Sequence, residues 1–115
     1  MADNKSALLY LGYGYGPVDT SVRTGVADAN YTATASDTIV ALTSLTAART
    51  VTLPSAGSVT AGKQIIVKDE SGACNGTKTI TVAGVIDGTT NLVLSSAYAS
   101  VRLYSNGASW NKVGA

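Results

Sequence analysis

Seven carboxylates and no histidine limit the chemistry open to this chain. Without an imidazole, the commonest general base and the commonest metal ligand are both missing. The carboxylates are Asp3, Asp19, Asp28, Asp37, Asp69, Glu70 and Asp87. Most fall in stretches that read as turns, where an aspartate ordinarily bonds nearby backbone. Asp69 and Glu70 are adjacent, but neighbours on an extended strand point apart and make no acid/base pair. With Asp87 they offer the oxygens that Ca²⁺ prefers, in a spacing that fits no calcium loop. Serine and threonine are plentiful, yet none has a base beside it for nucleophilic catalysis. Cys74 is the only cysteine. It cannot form an internal disulfide or a metal quartet, and reads as a small loop residue. An intermolecular disulfide is the alternative for an exposed thiol. The expectation is a non-enzymatic protein with no catalytic residue, no metal and no cofactor.

Binding chemistry is better represented. Tyr10, Tyr13, Tyr15, Tyr31, Tyr98, Tyr104 and Trp110 supply rings that stack on sugars or anchor a protein partner. Trp110 and Tyr104 are expected to pack their own hairpin instead.

The elements that position these residues are short strands. The organising stretch runs from Arg49 to Gly72. Thr50 to Leu53 alternates polar and apolar, and Pro54 stops it by lacking an N–H. Ser55 to Gly62 has loop composition. Gln64 to Lys68 is β-branched at Ile65, Ile66 and Val67, which suits a strand covered on both faces. Asp69 to Gly72 closes it as a turn.

Upstream, Val18 to Ala27, Tyr31 to Ala35 and Thr38 to Leu42 read as strands, with turns at Asp28–Asn30 and Ser36–Asp37. Downstream, Thr77 to Val82 places Ile80 and Val82 on one face. Gly84 breaks it, Asp87-Gly88 turns, and Leu92 and Leu94 share a face. The last hairpin joins Ser100–Ser105 to Ala108–Val113 through Asn106-Gly107, the preferred pair for a type I′ turn. A two-residue loop puts Leu103 opposite Trp110, and Val101, Leu103 and Trp110 on one face. Lys112 then falls opposite Val101. Turns every 8 to 12 residues mark an all-β fold. The expected architecture is a short-stranded antiparallel sandwich or barrel-like module.

The chain has 115 residues, of which 13% are charged and 45% apolar, with a net charge of +1. That is about half the usual share of charge, and an oligomer that hides apolar surface follows naturally. No basic run points to nucleic acid or an anionic membrane. Ala7 to Leu11 is too short for a signal or a membrane span. Beginning at Met1, the chain reads as a whole gene product made in a cytoplasm. Residues 1–17 read as an extended arm and 18–115 as a β-domain. The arm carries Leu8, Leu9, Tyr10, Leu11, Tyr13 and Tyr15, suited to lie on a partner. Alternating glycines and Pro17 keep it from forming a helix.

The strings VTLPSA, AGKQIIVKDESG, TITVAG, IDG and LYSNGASWNKV, covering roughly residues 49 to 113, resemble a β-rich module of tailed-bacteriophage virion proteins. That module occurs in tail fibres, head fibres and small capsid-decorating proteins. The resemblance implies a homotrimer, located in a virion assembled in the host cytoplasm. It implies a capsid decoration or head fibre bound to the major capsid protein or another virion protein. A tail-fibre protein recognising a cell-surface glycan is the alternative. Ile65, Val67, Ile80, Val82, Val101, Leu103 and Trp110 are expected to pack either the core or the trimer axis.

Overall fold

The computed structural model of this protein describes residues 21–114, and strands dominate them. The strands are β1 (Arg23–Ala27), β2 (Tyr31–Thr32), β3 (Ile39–Ser44), β4 (Arg49–Thr52), β5 (Gln64–Asp69), β6 (Ile80–Ile86), β7 (Thr89–Leu94), β8 (Ser100–Ser105) and β9 (Trp110–Val113). One short 3₁₀ turn, Ala56–Ser58, lies in the loop after Pro54.

These strands make one barrel-like sheet in the order β1-β3-β5-β8-β9-β6-β4-β2, with β7 paired to β6. Two parallel ladders build its sides. In one, Arg23 pairs with Ile39 and Ile39 with Ile66. In the other, Tyr31 pairs with Val51 and Val51 with Val82. The chain alternates between the ladders from β1 to β6, so it winds as a short coil. β8 then runs antiparallel to β5, and β9 antiparallel to β8. The path is completed where β9 meets β6, at Trp110 and Ile86. Among the described residues, the open end lies between β1 and β2.

The all-β, barrel-like class is as expected, but the pairing is mixed rather than antiparallel throughout. A period-2 pattern says which face is buried and nothing about the direction of the neighbour. Parallel pairs need long crossovers, and here the crossover from each strand passes through the opposite ladder.

Alternation decides the core. Val26, Val40, Leu42, Ile65, Val67, Val101 and Leu103 come from one side of the sheet path. Val51, Ile80, Val82, Ile86 and Leu94 come from the other, with Trp110 between them. All pack in one cluster, and burying each large side chain contributes about 1.5–3 kcal/mol.

The final hairpin differs in register from the expected one. Trp110 pairs with Ser105 and Lys112 with Leu103. The loop therefore has four residues. Asn106 stabilises it through its side chain, whose Oδ1 accepts from the amides of Ala108 at 2.9 Å and Ser109 at 2.8 Å. The slip is two residues, so the faces are preserved and Val101, Leu103 and Trp110 stay buried together. The two-residue hairpin turn sits instead at Asp87-Gly88, between Ile86 and Thr89. Both turn residues have positive φ, 51° and 77°, as a type I′ turn requires. Gly84 does not end its strand. With Ala83 it forms a bulge opposite Asn91, whose Oδ1 accepts from the Gly84 amide at 3.3 Å.

Candidate functional site

The described carboxylates hold loops rather than converge on a cleft. Asp28 takes a left-handed conformation at the end of β1, with φ 52°. It accepts from the Thr46 amide and hydroxyl and from the Arg49 guanidinium. Those bonds, Thr46 first, pull its carboxyl down to about 2. Asp37 is buried at the open end of the sheet. The Thr24 hydroxyl, the Tyr31 hydroxyl at 2.8 Å and the Thr34 amide at 2.9 Å all donate to it. Asp37 thus ties β1 to β2. Burial pushes its carboxyl up, but the Thr24, Thr34 and Tyr31 bonds outweigh this and hold it below the usual range. Glu70 pairs with Arg23 on the surface, where an ion pair contributes little. Asp87 accepts from the Lys112 amide at 3.2 Å.

Asp69 bonds more donors than any of these. Its side chain is fully buried. Oδ1 accepts from the Ser71 amide and hydroxyl and from the Gly72 amide, and Oδ2 from the Cys74 and Tyr98 amides at 3.1 Å each. One carboxylate therefore fixes the loop after β5 and the loop before β8. Cys74 lies beneath it, buried, donating its thiol to the Leu94 carbonyl. Burial and the Asp69 charge push that thiol's pKa up, away from the reactive thiolate. The Asp69, Glu70 and Asp87 side chains have separate partners. Among the described residues no three His, Cys, Asp or Glu gather as a metal site.

The rings separate into three situations. Trp110 is buried and donates Nε1–H to the Pro54 carbonyl at 2.9 Å. Tyr31 is half-buried and engaged with Asp37. Tyr98 and Tyr104 are 60% and 38% exposed. Tyr104 therefore does not pack inside its hairpin, because it alternates outward from Leu103 and Ser105. Tyr98 is held firmly for an exposed residue. Its φ is 61°, its amide is bonded to Asp69, and its carbonyl accepts from Lys68 Nζ. Its ring lies over Gly72, where an added Cβ would come within 2.4 Å of Cζ. Gly72 itself has φ 76°. Gly72→Ala is expected to lower stability by about 2–3 kcal/mol, from the αL penalty and the ring clash. Chemical denaturation with circular dichroism reads this directly, and unchanged stability would refute the packing of Tyr98 on Gly72.

The residues expected to pack the core or a trimer axis, Ile65, Val67, Ile80, Val82, Val101, Leu103 and Trp110, are all buried within one chain. The arm residues Leu8, Leu9, Tyr10, Leu11, Tyr13 and Tyr15 lie outside the described residues, as does the start of the expected Val18–Ala27 strand. The outer face carries an apolar row that the sequence reading missed. Register aligns Arg23, Ile39, Ile66, Arg102 and Val113 across β1, β3, β5, β8 and β9. Ile39 and Ile66 are half-buried, and Val113 and neighbouring Tyr104 are exposed. Beside this row, Leu92–Leu94, Ser100–Arg102, Lys112 and Val113 line a groove of about 400 Å³. The run Ile65-Ile66-Val67 was the available signal, since only one of its two faces can point at the core.

Neither family models nor curated proteins match this chain. Its function must be read from the surface alone.

Proposed function

We propose that this is a non-enzymatic virion structural protein of a tailed bacteriophage: a homotrimer that decorates the capsid or forms a head fibre. One observation supports the reading most directly. Ile39 and Ile66 form an outward apolar pair between Arg23 and Arg102, with Tyr104 and Val113 on the far side of Ile66, while the described carboxylates are engaged in loop bonds and the Arg23 ion pair. Aromatic and arginine residues around an apolar patch are interface chemistry. The core residues are committed to their own chain, so the trimer contact uses this outer face. Residues 1–17 engage the major capsid protein or a neighbouring trimer through Leu8, Leu9, Tyr10, Leu11, Tyr13 and Tyr15. A fully buried leucine contributes about 1.5–3 kcal/mol, and three arms on one particle add by multivalency.

Deleting residues 1–17 is expected to abolish binding to heads lacking the protein and to leave the truncated chain trimeric by native mass spectrometry. Full occupancy by the truncated protein would remove the arm from the mechanism.

The alternative is a receptor-binding fibre protein, and Tyr98 is what favours it. A rigidly held, exposed ring is suited to stack on a sugar. Binding of the intact protein to a glycan array, lost in Tyr98→Ala, would support that reading over capsid decoration.

A further inference from the structure

Two strand edges border one groove without pairing. β7 pairs with β6 only, and its other edge has no strand partner among the described residues. The ladders show which of its groups face out. The Arg49 and Leu53 amides donate to the Thr79 and Ala83 carbonyls, so Thr79, Thr81 and Ala83 face β4. Backbone groups alternate along a strand, so Ile80 and Val82 face β7, and their partners Leu94 and Leu92 face back. The Val93 N–H and C=O then point outward, and Val93 is 54% exposed. β9 supplies the second edge. It touches β6 at Trp110 alone and ends at Val113, opposite Arg102. Gly114 leaves the strand with φ 87°. Among the described residues, Ser100 and Val101 of β8 therefore lack a strand neighbour on that side. Between these edges lies the groove of about 400 Å³, lined from the core by Leu92, Leu94 and Val101. An extended residue takes up about 3.3 Å along a strand, 4.8 Å across and 10 Å through a sheet, so the groove holds roughly two or three residues.

Charge selects the occupant. Arg102 and Lys112 border the groove and are exposed. Among the described residues, neither side chain has a hydrogen bond or an ion pair. The described carboxylates are already bonded: Asp28, Asp37 and Asp69 to loop donors, Glu70 to Arg23, and Asp87 to the Lys112 amide. A second copy of these residues thus brings no free carboxylate. We propose that the groove takes an extended, acidic segment of a partner protein, added as a strand along Val93 with its carboxylates near Arg102 and Lys112. Main-chain bonds at an open edge supply affinity, and alternate side chains supply selectivity. The apolar side chains of the segment meet Leu92, Leu94 and Val101. The site follows from strand edges and charge and uses neither residues 1–17 nor the Ile39–Ile66 pair. Its failure would therefore leave the virion reading standing.

An end-capped hexapeptide of alternating valine and glutamate is the probe, followed on the full chain by amide hydrogen exchange. It should slow exchange of the Val93 amide at least roughly tenfold. The counterpart with lysine in place of glutamate should not. Lys112→Glu should weaken binding of the glutamate peptide about tenfold and leave the oligomeric state unchanged. Lys112 is chosen because Arg102 also borders the outer apolar pair. Val93→Pro should abolish peptide binding and keep native Trp110 emission, because the Val93 N–H lies outside the β6–β7 ladder. No protection of Val93 by the glutamate peptide would overturn the proposal. So would equal protection by both peptides, or binding that Lys112→Glu does not weaken. Slow Val93 exchange without peptide, lost on dilution, would overturn it as well, since a second copy would then cover the edge.

Discussion

Asp69→Ala is expected to lower the stability of the fold by about 3–5 kcal/mol. The substitution strands the Cys74, Tyr98, Gly72 and Ser71 amides, which donate to this carboxylate. A buried donor left without an acceptor costs about 1–3 kcal/mol. The fully buried Cys74 amide stands at the upper end of that range, and the others at the lower end. Asp69→Asn should recover little. Its amide nitrogen would face the two N–H groups that Oδ2 now accepts. The effect has a pH signature. Burial pushes the Asp69 carboxyl up, but the Ser71 hydroxyl and the Cys74, Tyr98 and Gly72 amides outweigh it, so the folded pKa is lowered. A carboxylate lowered on folding stabilises above its unfolded pKa, near about 4. That contribution is lost as pH falls from there through the folded value. Denaturation midpoints of the two proteins should therefore differ widely at neutral pH and converge in acid. A gap of the same size in strong acid would mean that the lost contribution is packing and not charge-assisted hydrogen bonding.

Asp69 also shows how far the sequence could be read. Its position before Glu70-Ser71-Gly72 marks a turn, and the side chain does bond that turn. Its reach to Tyr98 could not be seen, because it depends on β5 and β8 lying side by side. The same limit explains the ladders. Alternation at Ile80/Val82 and Val101/Leu103, and the β-branched run around Ile65 and Val67, mark residues that lie buried in the fold. Neither gave a sign that β1, β3 and β5 run parallel. The turns of the coil differ in length, with Ile66 following its partner Ile39 at a longer interval than Ile39 follows Arg23. No fixed repeat therefore appears in the residues. Asn106-Gly107 misled the register because a side-chain bond from Asn106 competes with the two-residue turn. Asp87-Gly88 lacks that competition and forms it. The outer stripe was legible only at Ile66, within the Ile65-Ile66-Val67 run, for a related reason. Ile39, Ile66 and Val113 are far apart in the chain, and only register puts them in one line.

Trp110→Ala should be the most damaging substitution in the final hairpin, at about 3–5 kcal/mol. Two side-chain functions end together, and a backbone contact beside them loses its packing support. The indole fills the core between the two sides of the sheet. Its N–H satisfies the Pro54 carbonyl, where β4 has just ended. Its backbone forms the contact between β9 and β6, with the Asp87 amide donating to the Trp110 carbonyl at 3.0 Å. Without that contact, the path divides into β1-β3-β5-β8-β9 on one side and β2-β4-β6-β7 on the other. Trp110→Phe keeps most of the volume and loses the N–H, so it should cost less, about 1–3 kcal/mol. As the only tryptophan, Trp110 also reports on itself. Its emission should be blue-shifted in the native protein and move red in a single transition that coincides with loss of β circular dichroism. A red shift that precedes the loss of strand signal would show that the β9–β6 contact opens by itself. The two sides of the sheet would then be separate folding units joined at Trp110, and Trp110→Ala would cost far less than a full core cavity.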